Sequence, residues 1–150
     1  MIINTGLEVM IASLIATFIA QFLKFCFYYF QHKKINFKIF ASTGGMPSSH
    51  SAAVVGTMTS TGLIKGFSSV EFSIALIFGL IVMYDAAGLR RSTGQIASQL
   101  NNLVDAIWEQ RPHKFREKLI ELLGHTPLEV AMGALLGGSF SVLYHYMLLY

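Results

Sequence analysis

Disulfide chemistry is excluded at once. The 150-residue chain holds a single cysteine, Cys26, so neither an intrachain bridge nor a cysteine-based zinc site can form. Charge is scarce as well. Only 13% of residues are Asp, Glu, Lys or Arg, against 53% that are hydrophobic, a balance that fits a membrane protein rather than a soluble domain. The net charge of +3 is too modest to argue for nucleic acid. Carboxylates are few and dispersed, which leaves no oxygen-rich cage for magnesium and points to metal-independent chemistry without a cofactor. The N-terminus shows neither a basic n-region nor a small-residue cleavage pattern, so the first apolar run reads as a retained span rather than a signal peptide.

What the chain does have is apolar runs of membrane length. Residues 7–30 are the first, interrupted by Glu8, Gln21 and Lys24, and they match the ~20 residues that cross a bilayer. Lys24 in such a run either snorkels to the interface or faces a polar interior. A basic connector with Lys33, Lys34 and Lys38 leads to Gly44-Gly45-Met46-Pro47-Ser48-Ser49-His50-Ser51-Ala52. Residues 49–64 predict a short helix rich in Ser, Thr, Gly and Ala, poor for lipid contact but suited to close packing at the centre of a bundle. Residues 70–88 predict a third span, closed by Asp85, Gly88, Arg90 and Arg91.

Residues 93–110 change character. Ile96, Leu100, Leu103 and Ile107 recur at helical spacing opposite Gln99, Asn102, Asp105 and Glu109, which predicts an amphipathic helix at the interface. A second surface helix is expected over 113–123. Residues 128–150 form the last span, with Glu129, Gly133 and Gly137 on one face and Tyr144, Tyr146 and Tyr150 as an aromatic belt. The expectation is one all-α domain over 1–150: an integral membrane bundle of about four transmembrane helices, with one or two cytoplasmic amphipathic helices.

Four spans divide the cations unevenly. Lys33, Lys34, Lys38, Arg90, Arg91, Arg111, Lys114, Arg116 and Lys118 fall on one side and Lys65 on the other. The positive-inside rule makes the rich side cytoplasmic and both termini external, in the cell (inner) membrane. The Gly-Gly-Met-Pro loop, Lys24, the segment from Asp85 to Arg91 and the start of the last span then share the cytoplasmic face.

Those segments suit phosphate chemistry. Glycine frees the loop at Gly45, Pro47 suits a first helical turn, and the N–H groups of Ser48, Ser49 and His50 would face outward to an anion. His50 is a candidate proton donor to a leaving oxygen. His125 stands one helical turn before Glu129, whose carboxylate could orient the imidazole as a nucleophile. The same residues also read as a capping box, Thr126-Pro127-Leu128-Glu129, in which Glu129 is structural. Lys24, Arg90 and Arg91 could hold phosphate oxygens, with Asp85 in support; the arginines also read as a basic membrane flank. His32, His113 and His145 lack such neighbours and read as flank or belt residues.

Met46-Pro47-Ser48-Ser49-His50 resembles the Pro-Ser-Gly-His motif of the type 2 phosphatidic acid phosphatases and vanadium haloperoxidases. Gly124-His125-Thr126-Pro127-Leu128-Glu129, with Gly133 beyond, resembles that superfamily's His-x-x-x-Asp motif followed by glycine. With the Asp-Ala-Ala-Gly-x-Arg-Arg segment, the whole chain is similar to the divergent branch described as acid phosphatase/vanadium-dependent haloperoxidase-related membrane proteins. The resemblance implies His125 as the nucleophile forming a phosphohistidine, Glu129 in place of the orienting aspartate, and His50 as general acid. It implies Ser48, the Ser49 amide and Lys24 as phosphate ligands. The pattern departs in two places: Gln31 and His32 stand where Arg-Pro is expected, and Lys118 and Leu119 where Ser-Arg is expected. Arg90 or Arg91 is the candidate replacement cation.

The implied activity is a metal-independent lipid-phosphate phosphatase acting on the cytoplasmic leaflet. Phosphatidylglycerol phosphate or phosphatidic acid is favoured over undecaprenyl pyrophosphate. The implied partners are a lipid phosphate and the bilayer, with a homo-oligomer left open. The rival readings are a non-catalytic membrane protein with an anion- or headgroup-binding loop, and a small transporter subunit.

Overall fold

A computed structural model describes residues 3–37, 39, 44–107, 119 and 124–150, apart from the side chains of Arg90 and Arg91. Five helices occupy this part of the chain: α1 Gly6–His32, α2 Ser49–Lys65, α3 Val70–Ala87, α4 Leu89–Ile107 and α5 Pro127–Leu149. No strand occurs among the described residues, and the architecture is an all-helical membrane bundle.

Three stretches are long and apolar enough to cross a bilayer: Gly6–His32, Val70–Ile107, which contains α3, and Pro127–Leu149. The sequence suggested four. The fourth is α2, whose 17 residues extend ~25 Å at the helical rise, the lower limit for a span; it starts at the Glu129 end of the bundle, where the Ser48 N–H donates to the Glu129 carbonyl. Its Ser, Thr and Gly content serves packing. α2 lies against α1, α3 and α5 and forms the centre of the bundle.

Close approach explains that composition. A Cβ on Gly133 would collide with the Ser48 carbonyl oxygen, and one on Gly137 with that of Ala52. The backbones of α2 and α5 therefore touch where a side chain would hold them apart. Hydroxyls bridge the same interfaces. Ser13 Oγ donates to the Ala53 carbonyl at 2.9 Å, Thr57 Oγ1 lies 3.0 Å from Ser13 Oγ, and Ser141 Oγ donates to the Gly56 carbonyl at 3.1 Å. Interhelical bonds of this kind contribute about 0.6 kcal/mol each on average.

The buried face of α1 repeats every fourth residue: Glu8, Ala12, Ala16, Ala20, Lys24. That of α5 repeats as Gly133, Gly137, Ser141, His145. Small residues occupy the middle of each stripe, and ionisable groups sit at the ends. Glu8 Oε1 meets His145 Nδ1, a pair buried on both sides, and Glu8 Oε2 accepts the Asn4 N–H at 2.7 Å. This corrects the expectation that His145 is a belt residue. The Glu8–His145 contact sets α1 and α5 antiparallel, which carries Lys24 to the opposite end of the bundle, beside Glu129.

The other helices follow the expected boundaries with small shifts. Gly88 caps α3, and α4 starts directly at Leu89 rather than at residue 93, so Arg90 and Arg91 belong to its first turn. Most of the surface helix expected over 113–123 lies outside the described residues, as does Lys118. On α3, Ile74, Ile77, Phe78 and Ile81 are exposed, as suits a helix facing lipid.

Candidate active site

Helix α2 begins at Ser49, as the composition predicted, with Pro47 outside its first turn. Ser48 is its N-cap, accepting from the Ser51 N–H at 3.3 Å and the Ser51 hydroxyl at 3.1 Å. Pro47 lies before the cap, following a cis Met46–Pro47 bond. A serine cap satisfies an otherwise orphaned amide, which proline at that point could not do. The Ser48 N–H does not face outward either, because it donates to the Glu129 carbonyl at 3.0 Å. Ser48 is fully buried and Ser49 nearly so. Ser48 therefore fastens the loop to α5, and the amides that follow it in the first turn of α2 are those of Ser49 and His50.

The same carboxylate carries both roles weighed for Glu129. Its Oε2 accepts the Thr126 N–H at 3.1 Å while Thr126 Oγ1 accepts the Glu129 N–H at 3.3 Å, completing a capping box. That Oε2 also lies 3.1 Å from His125 Nδ1. A carboxylate only accepts, so Nδ1 carries the proton and Nε2 holds a lone pair. Capping fixes the carboxylate, and the fixed carboxylate sets the tautomer.

His125 itself is 1% exposed. Its backbone N–H donates to the Ala86 carbonyl at 2.9 Å, so the end of α3 holds the residue in place beside Asp85 in the same last turn. Its Nε2 is buried with no hydrogen-bond partner among the described residues. Leaving such a group unsatisfied costs on the order of 1–3 kcal/mol, and a native structure needs a reason for it. The His50 ring, on the first turn of α2, stands 6.2 Å away centroid to centroid, at 64°. His50 is exposed where His125 is buried.

Lys24 completes the cluster. It is 3% exposed, and its aliphatic stem packs where a Cβ on Gly45 would be, 3.3 Å from Cγ. Gly45 has φ +96°, a conformation that favours glycine, so both its backbone and its missing side chain are used. Burial pushes the His125 imidazole below its ordinary value. The hydrogen bond to Glu129 and the Gly45 backbone oppose this, and the Lys24 charge adds to the lowering. The net direction favours the neutral imidazole.

A cavity of about 880 Å³ adjoins this cluster. Lys24, Gly44, Gly45, Thr126 and Glu129 line one part, and Phe27, Tyr28, Gln31, His32 and Asn36 extend it along the end of α1 and the connector. His32 thus has a place that its reading as a flank residue missed; its ring stacks on Tyr28. The signal was available in part, since Lys24, Tyr28, Gln31 and His32 share one helical face. The structure brings together His125, Glu129, His50, Lys24, Gly45, Ser48 and Ser49, with Asp85 close behind. The side chains of Arg90 and Arg91 lie outside the described part.

The family model described as "Divergent PAP2 family" matches residues 6–140. The uncharacterized membrane protein YuiD of Bacillus subtilis (strain 168) is 38% identical over 138 residues, 85% of this chain and 87% of the relative. No solved structure matches the chain. The chain is a membrane protein and belongs to the divergent PAP2 family.

Proposed function

We propose that this protein is an integral membrane phosphatase that hydrolyses a lipid phosphomonoester through a phosphohistidine at position 125. The observation that carries the reading is the His125 imidazole, oriented at Nδ1 by Glu129 and unpartnered among the described residues at a buried Nε2. Nε2 attacks phosphorus and the P–O ester bond breaks. His50 gives its proton to the leaving alkoxide. Lys24 and the amides of Ser49 and His50 stabilise the equatorial oxygens. Water, losing its proton to His50, then attacks the phosphohistidine, releases phosphate and restores the lone pair on Nε2. Glu129 keeps its bond to Nδ1 throughout and stabilises the charge that the ring acquires.

Phosphatidylglycerol phosphate and phosphatidic acid are the favoured substrates, on the cytoplasmic leaflet. The charge distribution supports that side, with both termini external. In a Cys26→Ser background, cysteine at position 38 is expected to react from the cytoplasm and cysteine at 65 from outside; the reverse labelling contradicts the orientation. The activity is tested by phosphate release from several lipid phosphates, using detergent-purified protein with a chelator present. Release is expected from at least one monoester. A non-catalytic headgroup-binding protein is the second reading, favoured by the lack of arginine among the described residues lining the cavity. No release from any substrate would select it.

The position of His125 sets a pH dependence. Its proton affinity is lowered by burial first, so the neutral nucleophile persists below the usual histidine value of ~6.5. The acid limb of kcat/KM is expected to fall only below that value, and Glu129→Gln to move it. Stability has the same sign. Below ~6.5 the unfolded chain takes up a proton that folded His125 resists, so stability contributed at neutral pH is lost as the pH falls. Thermal unfolding in detergent between pH 5 and 7 checks this.

A further inference from the structure

The 880 Å³ cavity is far larger than a phosphate group needs and falls in the range that encloses a drug-sized ligand. It reaches the phosphatase cluster through Lys24, Gly45 and Glu129, so its far part has room for what is joined to the phosphate. Among the described residues lining it, the only Lys, Arg, Asp or Glu side chains are Lys24 and Glu129, whose formal charges cancel. The rest of the polar lining consists of hydrogen-bonding groups: the Gln31 and Asn36 amides, His32, the Tyr28 hydroxyl and the Thr126 hydroxyl.

Gln31 is the best placed of these. It lies two turns beyond Lys24 on the same face of α1, is exposed, and offers both a carbonyl acceptor and an NH₂ donor. The aromatic wall formed by Phe27 and Phe30 gives the adjoining apolar surface that a lipid requires. We propose that Gln31 reads hydroxyl groups of the leaving alcohol, so that the site selects a phosphomonoester on a polyol headgroup over one on bare diacylglycerol. This rests on the phosphatase reading above. A site built to hydrogen-bond a substrate hydroxyl discriminates against the analogue without it, because its own polar groups are then left unpaired.

The test compares kcat/KM for phosphatidylglycerol phosphate and phosphatidic acid in mixed micelles, for wild type, Gln31→Leu and Gln31→Asn. Wild type is expected to prefer phosphatidylglycerol phosphate. Gln31→Leu should reduce its preference over phosphatidic acid about tenfold, and Gln31→Asn, which keeps both the acceptor and the NH₂ donor, should restore part of it. The exposed position makes loss of folding an unsuitable explanation, and size-exclusion profiles verify that. An active wild type whose preference is unchanged in Gln31→Leu overturns the inference and leaves the phosphatase standing. A wild type inactive on both overturns the phosphatase reading as well.

Discussion

Alanine at position 125 is expected to lower phosphate release by roughly 10⁴- to 10⁶-fold, the scale seen when a nucleophile is removed from a catalytic unit. The argument is structural before it is chemical. The ring is buried, one nitrogen is held by a carboxylate, and the other is left without a partner among the described residues. A histidine present only for packing would bond through both nitrogens or turn the free one to solvent. His50→Ala is expected to cost less, about 10²- to 10⁴-fold, since general acid catalysis contributes on that scale. Glu129→Gln keeps a side-chain oxygen for the cap but gives up the charge, and should fall between wild type and His125→Ala. Initial rates with a short-chain lipid phosphate, on variants that elute as wild type does, measure all three. Wild-type activity in His125→Ala would remove the basis of the mechanism.

The second large effect is expected at the opposite end of the bundle. His145→Ala leaves the Glu8 carboxylate buried without its partner. Breaking a buried pair from one side costs about 3–5 kcal/mol, so a clear drop in unfolding temperature in detergent should follow. Replacing both residues by leucine should recover most of that loss, because the desolvation penalty disappears with the polar groups. A single variant as stable as wild type would mean that water reaches the pair. The contact also anchors α1 against α5 at the end far from Lys24, so the double variant shows whether stability can be restored without restoring the placement of Lys24 beside His125.

Much of this molecule could be read from the sequence. The apolar runs predicted the helices to within a few residues, because helix length and hydropathy are local properties. The separation of four between His125 and Glu129 is likewise local, and it places the carboxylate within reach of the ring. The two roles weighed for Glu129 turned out to be one: a single oxygen accepts from both Thr126 and His125. Local competition was harder to judge. Pro47 and Ser48 both signal a helix start, and the cap position went to Ser48 because Ser51 supplies it with two donors. Long-range register was not legible at all. Glu8 and His145 are 137 positions apart, and each looked ordinary alone. The cavity beside Lys24 was hidden for the same reason, since it exists only once the loop and the start of α5 close against the end of α1.

The central claim is that phosphate passes through His125. Incubating the detergent-purified protein with a ³²P-labelled lipid phosphate, quenching in alkaline denaturant and mapping the label tests it most directly. The account predicts an alkali-stable label on the peptide containing His125, absent from His125→Ala. Steady turnover by the wild type with no label on that peptide, or a label that persists in His125→Ala, would contradict it.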